Sequence, residues 1–212
     1  MKKLFIYGAS FGDVIKLVDA INRVTVSWTI SGFLDDTREL LGKTLMGYKI
    51  LGGRELLPEL AGQEGSYFFN NVNGSRLGNQ HIAELLNSFH CNIPSLVHPS
   101  IDVSYVEIGR GCIIPDGCVI GANVTIGDFV TVRYGSVISH DVEIGENVLL
   151  GPGVTVGGRV KIKKGCVIGA GATIMMETTI GEFATVGAGT VVIRDVPAHS
   201  TVVGVPGREI KS

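Results

Sequence analysis

The sequence predicts a mixed, two-part fold: a small N-terminal α/β domain followed by a parallel β-helix. Three observations predict it. An aliphatic residue returns at every sixth position from Ile108 to Val192, fifteen times in succession. Four residues after each comes a small or β-branched side chain, from Cys112 and Cys118 through Val124 to Thr190 and Val196. Residues 1 to about 90 have a different texture, in which strand-like and helix-like stretches alternate.

Composition bounds the class. The 212 residues are 45% hydrophobic with a formal net charge of −2, and no apolar run is long enough to span a bilayer. A soluble globular chain of one or two domains is expected, with no membrane insertion. No basic field recommends nucleic acid. Met1 leads into one lysine pair and the strand-like Leu4-Phe5-Ile6-Tyr7 rather than a charged stub and cleavable apolar core, so the expected location is cytoplasmic. Cys112, Cys118 and Cys166 fall in the small-residue column, Cys91 precedes the repeats, and no Cys-x-x-Cys spacing exists. Buried reduced thiols, not a metal or redox centre, are expected.

The first domain, expected over residues 1–91, opens with a strand at Leu4 to Tyr7. Gly8-Ala9-Ser10-Phe11-Gly12 follows, and Val14, Ile15, Val18 and Ile21 then recur at helical spacing over Asp13 to Asn22. Further expectations are a strand around Val24 to Ile30, a helix near Arg54 to Ala61, a strand at Tyr67 to Val72, and a helix from about Arg76 to Phe89. That is half of a Rossmann-like, nucleotide-binding sheet. A glycine turn after its first strand points backbone N–H groups and a helix N-terminus at an anionic ligand, though the same turn can merely let strand pass to helix. The full Gly-x-Gly-x-x-Gly is missing and there is no room for a second mononucleotide half, which argues against a nicotinamide cofactor. Asp35 and Asp36, at the end of the second strand, suit a ribose or a base, or are solvated loop carboxylates.

Pro94 and Pro99 break both patterns and mark the start of the second domain, expected over residues 92–212. A period of six is neither helical nor a simple alternation. It is the period of a hexapeptide β-helix, each hexad supplying one short strand and one bend. Gly follows the aliphatic in nine of the fifteen hexads, which suits a corner needing positive φ or close approach. Three hexads per triangular turn stack roughly six coils about 4.8 Å apart, a prism about 30 Å long. Each inward aliphatic contributes about 1.5–3 kcal/mol of burial, so the solenoid has a core without helices. Pro197, Pro206 and Gly207 would end the repeat in a cap.

An eighteen-residue coil lets columns be read directly. One column runs Ser104, Ala122, His140, Gly158, Met176 and Arg194. His140 stands at a corner and should point outward, with Asp141 beside it and the uncovered N–H of Gly158 one coil above. A histidine next to a carboxylate is the arrangement of a general base, since the carboxylate holds one ring nitrogen protonated and leaves the other free. A solvated corner histidine is the plain alternative for a bare His-Asp pair.

These residues carry a resemblance. The chain resembles the left-handed β-helix acyltransferases built on hexapeptide repeats, and within them the sugar acetyltransferases of bacterial surface glycans. Their two branches are N-acetyltransferases of nucleotide-linked 4-amino sugars and O-acetyltransferases of sialic acids. The matching stretches are Ile6-Tyr7-Gly8-Ala9-Ser10, Gly32-Phe33-Leu34-Asp35-Asp36, Val97-His98-Pro99-Ser100, Ser139-His140-Asp141 and Val203-Gly204-Val205-Pro206. The resemblance implies a left-handed coil, where the usual crossover rule would favour the right hand. It implies acetyl-CoA as donor, a UDP- or dTDP-linked 4-amino-4,6-dideoxy sugar as acceptor, and a homotrimer with active sites between subunits. At matching positions it makes His140 the general base with Asp141 raising its basicity, and Gly158 the N–H that meets the thioester oxygen. Ala170 and Ala188 become main-chain contacts to coenzyme A; Gly8, Ser10, Asp35 and Asp36 become the nucleotide-sugar end. The chain departs from the family at Gly8-Ala9-Ser10-Phe11-Gly12, where Gly-Ala-x-Gly-His-Gly is common, and at Leu149, where a second histidine is common.

The expected chemistry is direct transfer, with no serine or cysteine placed for a covalent intermediate. O-acetylation of a sugar hydroxyl would use the same base. Two readings compete. A β-helical zinc enzyme needs three histidines around its metal, and only His140 lies within the regular repeats, so no metal is expected. A non-catalytic β-helix binding module would leave the His140–Asp141 pair opposite Gly158 unexplained.

Overall fold

The computed structural model describes residues 1–72 and 74–210, so the last two residues of the expected second domain lie outside it. The chain divides into two compact units, Met1–Leu96 and Val97 onward.

The first unit is built on β1 (Lys2–Tyr7), α1 (Asp13–Val24), β2 (Trp28–Leu34), β3 (Thr44–Leu45), β4 (Tyr48–Gly52), α2 (Leu57–Ala61), β5 (Ser66–Asn70) and α3 (Arg76–Ser88). The strands form one sheet in the order β3-β4-β2-β1-β5, parallel except for the β3–β4 hairpin. Leu4, Phe5, Ile6 and Tyr7 are all buried, as a parallel strand covered on both faces requires. Phe5 and Tyr7 share one core cluster with Leu34, Phe68, and Leu57, Ile82 and Leu86 from the helical segments. Leu4 and Ile6 alternate to the opposite face.

The second strand starts later than the sequence predicts. Val24 closes α1 instead of opening β2, and Val24 and Val26 are exposed. The side chain of Asn22 explains the boundary. Its Oδ1 accepts from the N–H groups of Ser27 and Trp28 while its Nδ2 donates to the Trp28 carbonyl, clamping the turn between helix and strand. The sequence reading contains no hairpin of β3 and β4. It turns at Met46-Gly47, both with positive φ, a two-residue connection whose twist matches its strands.

The second unit is a left-handed parallel β-helix. Two-residue rungs such as Val137–Ile138, Glu143–Ile144 and Leu149–Leu150 stack into three sheets. Ile126, Ile144, Ile162 and Ile180 pair in register, eighteen residues apart, as the hexad count requires. The small column is buried throughout, from Cys112 at 0% exposure to Val196 at 4%, and all four cysteines are buried thiols outside any disulfide. Burial alone pushes the Cys91 thiol up to about 11. Thr201–Val203 joins the stack in parallel and pairs with Arg208–Ile210 in an antiparallel cap.

Each coil turns three corners, and of the two causes the sequence allows for the glycines after the aliphatics, positive φ or close approach, the structure shows close approach. The glycines directly after the aliphatics are places of close approach: a Cβ on Gly121 would lie 2.8 Å from the His140 nitrogen, and one on Gly157 would lie 2.6 Å from the Met176 nitrogen. Positive φ falls two residues later. One corner column is all glycine, Gly117, Gly135, Gly153, Gly171 and Gly189, with φ between 65° and 75°. Another is Asn123, Asp141, Arg159 and Glu177, with φ of 62°, 58°, 58° and 62°. Asn and Asp tolerate this left-handed geometry better than other non-glycine residues.

Candidate active site

His140 leaves the prism at the corner between the Val137–Ile138 and Glu143–Ile144 rungs. Consecutive residues of a strand point to opposite faces, so a histidine does not ordinarily reach its own neighbour. The left-handed φ of Asp141 removes that obstacle, and His140 Nδ1 lies 2.7 Å from Asp141 Oδ2. The other carboxylate oxygen, Oδ1, accepts from the Asn123 amide one coil below at 3.1 Å. The hydrogen bond to His140 first, and that from Asn123 second, hold the Asp141 carboxyl below the usual carboxylate range. An ionised carboxylate only accepts, so Nδ1 carries the proton, and in the neutral imidazole it is Nε2 that presents a lone pair.

Nε2 faces Gly158. A Cβ built on Gly158 would stand 2.8 Å from His140 Nε2 and 2.9 Å from Cε1, so only glycine leaves the ring in place. The Gly158 carbonyl accepts from Glu177 N at 2.9 Å, but its N–H makes no hydrogen bond among the described residues although the residue is buried. A buried N–H without a partner is uncommon and marks a place where another oxygen can bind. The Nε2 of His140 and the Gly158 N–H thus sit one coil apart on one edge of the prism.

Ala170 and Ala188 lie on a different edge, the corner before the Thr173–Ile174 and Val191–Val192 rungs. Both are exposed, Ala170 O accepts from Gly189 N at 2.8 Å, and neither alanine N–H is hydrogen-bonded among the described residues. One prism therefore does not bring these alanines to His140. The two edges flank the same sheet, whose outward residues are Val119, Val137, Thr155, Thr173 and Val191.

The first unit gathers its candidate residues at the carboxyl ends of β1 and β2, where parallel sheets bind ligands. Gly8 has φ of 101°; its N–H donates to the Leu34 carbonyl and its carbonyl accepts from Asn71 Nδ2. Ser10 is exposed in the loop that follows. Asp35 joins the loop to the second strand, accepting from Ala9 N on Oδ2 at 2.8 Å and from Thr37 N on Oδ1 at 2.9 Å. Asp36 is more heavily engaged, accepting from the Tyr7 hydroxyl at 2.7 Å and from Arg54 through N, Nε and Nη2. Partial burial works to raise the Asp36 carboxyl, yet the Arg54 and Tyr7 hydrogen bonds outweigh it and hold it at about 2. Burial in turn raises the Tyr7 hydroxyl well above the usual phenol range. Asp35, Asp36, Arg38 and Arg54 border an open pocket of about 510 Å³.

Tyr7, Arg54 and Asn123 belong to these sites but to no sequence motif for them. Asn123 was within reach, because it stands eighteen residues before Asp141 in its own column. No sequence signal pairs Arg54 with Asp36, since their contact depends on the unforeseen hairpin.

Comparison with known proteins agrees with this architecture. Residues 105–140 and 141–175 each match the bacterial transferase hexapeptide (six repeats) family. Nothing among curated protein sequences matches. Among solved structures, the chain is similar to PerB of Caulobacter crescentus in complex with CoA and GDP-perosamine, with a TM-score of 0.87 and 26% identity over 100% of this chain and 98% of that one. The acetyltransferase domain of PglB from Neisseria gonorrhoeae is also similar, with a TM-score of 0.86 and 26% identity over 99% and 100% of the two chains. WeeI from Acinetobacter baumannii gives a TM-score of 0.84 and 26% identity over 99% and 100%. Residues 105–175 carry the hexapeptide repeats of that family, and the chain is similar to the perosamine N-acetyltransferase of Caulobacter crescentus.

Proposed function

We propose that this chain is an acetyl-CoA-dependent acetyltransferase acting on the amino group of a nucleotide-linked amino sugar. The observation that carries the reading is the unpaired Gly158 N–H set against Nε2 of an Asp141-held histidine. The sugar amine attacks the acetyl carbonyl, His140 Nε2 takes the ammonium proton, and the Gly158 N–H hydrogen-bonds the developing oxyanion. As the C–S bond breaks, the coenzyme thiolate leaves and takes a proton. No resident metal or covalent intermediate is needed. PerB, crystallised with CoA and GDP-perosamine, and the PglB domain, crystallised with acetyl coenzyme A, lend support. So do the structures of the perosamine enzyme with one histidine changed to alanine or asparagine. The ligand in PerB carries GDP, which widens the acceptor class beyond UDP and dTDP to nucleotide-linked 4-amino-4,6-dideoxy sugars in general.

The working unit in this reading is a homotrimer. The sheet between the two site-bearing edges exposes Val119 and Val137, at 58% and 38%, where the neighbouring sheet exposes Glu143 and Lys161. Turning three copies of the apolar sheet toward one axis buries it. The same operation sets His140 of one copy against Ala170 and Ala188 of the partner subunit. No described helix is long and apolar enough to cross a membrane, which accords with a cytoplasmic enzyme. Gly8, Ser10 and Asp35 serve the nucleotide, and Asp36 acts through Arg54 and Tyr7. Thiol release from acetyl-CoA tests the reading with GDP-, UDP- and dTDP-linked 4-amino sugars beside free sialic acids. Turnover with an amino sugar is expected; turnover with sialic acid alone would move the acceptor to a hydroxyl, and no release with any of them would overturn it.

A further inference from the structure

The corner that carries Asp141 holds a second pattern, to which the chemistry above gives no task. Asn123, Asp141, Arg159 and Glu177 follow one another at eighteen-residue spacing, one per coil, and all four have a left-handed φ between 58° and 62°. Like backbone angles send the four side chains out the same way, with about 4.8 Å between successive coils. A left-handed φ is costly for every residue but glycine. A neighbouring corner column avoids that cost with glycine in five successive coils, from Gly117 to Gly189. This column keeps side chains instead, and they bond one another in pairs: Asn123 with Asp141, and Arg159 with Glu177.

Arg159 stands between two carboxylates, Asp141 one coil below and Glu177 one coil above. It takes the upper one: its Nε and Nη2 both donate to Glu177 Oε1, at 3.0 and 2.7 Å, and among the described residues it makes no hydrogen bond to Asp141. Both directions are open to a long cation on this prism, because Arg110 reaches up one coil to Asp128 and Lys161 reaches down one coil to Glu143. The Arg159 N–H donates to the His140 carbonyl at 3.0 Å, so the backbone keeps Arg159 over the His140–Asp141 pair whichever way its side chain turns. A guanidinium turned downward would compete for oxygens already committed, Oδ2 to His140 and Oδ1 to Asn123. A fixed cation binds a carboxylate more strongly than a neutral imidazole does. Hydrogen bonds from His140 and then Asn123 lower the Asp141 carboxyl, and the charge of Arg159 adds to them even from its upper position.

Resting on the reading of His140 as the base, we propose that Glu177 is a positioning residue: by holding the Arg159 guanidinium one coil up, it reserves Asp141 for His140 Nδ1. Glu177 touches neither substrate in this scheme. It acts through Arg159 on Asp141, and through Asp141 on the tautomer that leaves the Nε2 lone pair free in the neutral ring. Asn123 secures the same carboxylate from below by occupying Oδ1.

Two measurements on Glu177→Gln, alone and combined with Arg159→Gln, test the assignment. The first needs no substrate: the imidazole nitrogen shifts of His140, read by NMR where the ring is neutral. Wild-type protein should show Nδ1–H, Glu177→Gln a measurable share of Nε2–H, and the double variant Nδ1–H again, because its competitor is gone. The second is steady-state acetyl transfer. Glu177→Gln should lower kcat about two- to fivefold, the scale of one exposed ion pair, with KM for both substrates unchanged, and the double variant should recover the loss. Wild-type tautomer and kcat in Glu177→Gln would overturn the proposal. So would a double variant as slow as the single one, or a raised KM for acetyl-CoA at constant kcat, which would make Glu177 a donor contact. Wild-type protein that transfers no acetyl group would instead sink the acetyltransferase reading, while the tautomer comparison would still decide whether Glu177 positions Asp141.

Discussion

Gly158→Ala separates the chemistry of the His140 edge from its architecture. The added methyl would lie 2.8 Å from His140 Nε2, where ordinary contact begins at 3.4 Å, so the imidazole must retreat by about 0.6 Å. The ring can give way because it is the far end of an exposed side chain, with side-chain exposure of 54%. Gly158 is not among the residues with positive φ, so alanine adds no backbone strain. Stability should stay within about 0.5 kcal/mol of wild type. Catalysis should not. The base then stands about 0.6 Å from its wild-type place, and since a 1 Å misplacement costs about 100-fold in rate, kcat should fall about tenfold or more. Gly157→Ala is the control, because its methyl would meet the Met176 nitrogen at 2.6 Å and the Ile174 carbonyl at 3.0 Å. Backbone cannot yield as a ring does, so that variant should lose melting temperature by an amount equivalent to about 1–3 kcal/mol. The assay is kcat for thiol release beside a thermal melt for each variant. A Gly158→Ala enzyme with wild-type kcat would refute the reasoning that His140 acts from the place Gly158 leaves open to it.

Two further outcomes follow from the structure. Because Arg54 and Tyr7 hold Asp36 at about 2 against an ordinary 3.8, the folded state binds that proton less readily than the unfolded state. The stabilisation is therefore complete above about pH 4 and is lost as the pH falls toward 2; discounted for an exposure of 34%, it amounts to about 1 kcal/mol. Asp36→Asn should flatten the stability-pH curve across that window, measured by denaturant titration. Val137→Glu adds a charge to an exposed position, which would be harmless in a monomer. In the proposed trimer it should dissociate the subunits and abolish turnover together, as analytical ultracentrifugation and the thiol assay would report.

The β-helix was legible because each of its physical causes repeats: Ile126, Ile144, Ile162 and Ile180 stack where the period puts them, and the same arithmetic sets Gly158 over His140. What the period could not convey is which glycine serves which need. Gly121 and Gly157 are small because the next coil passes close, while the left-handed corners fall two residues later and include Asp141, whose φ turns its carboxylate onto His140. In the first unit, the strands and helices with strong patterns emerged, but the β2 boundary did not. Asn22 decides that boundary by side-chain hydrogen bonds that no propensity contains. The β3–β4 hairpin is short and half exposed, so it carries little hydrophobic pattern, and with it the Arg54–Asp36 pair stayed hidden. Asp35 and Asp36 look equivalent in sequence. The fold gives Asp35 to the loop after β1 and Asp36 to Arg54.

The most direct measurement of the central claim is the single-turnover rate of acetyl transfer by His140→Ala, with acetyl-CoA and whichever nucleotide-linked amino sugar the wild-type enzyme accepts. His140 is exposed and, among the described residues, its side chain bonds only Asp141, so the variant should fold and bind coenzyme as wild type does. The rate should fall by about two to four orders of magnitude. A wild-type rate in the folded variant would show that the proton leaves by another route and that His140 is not the base.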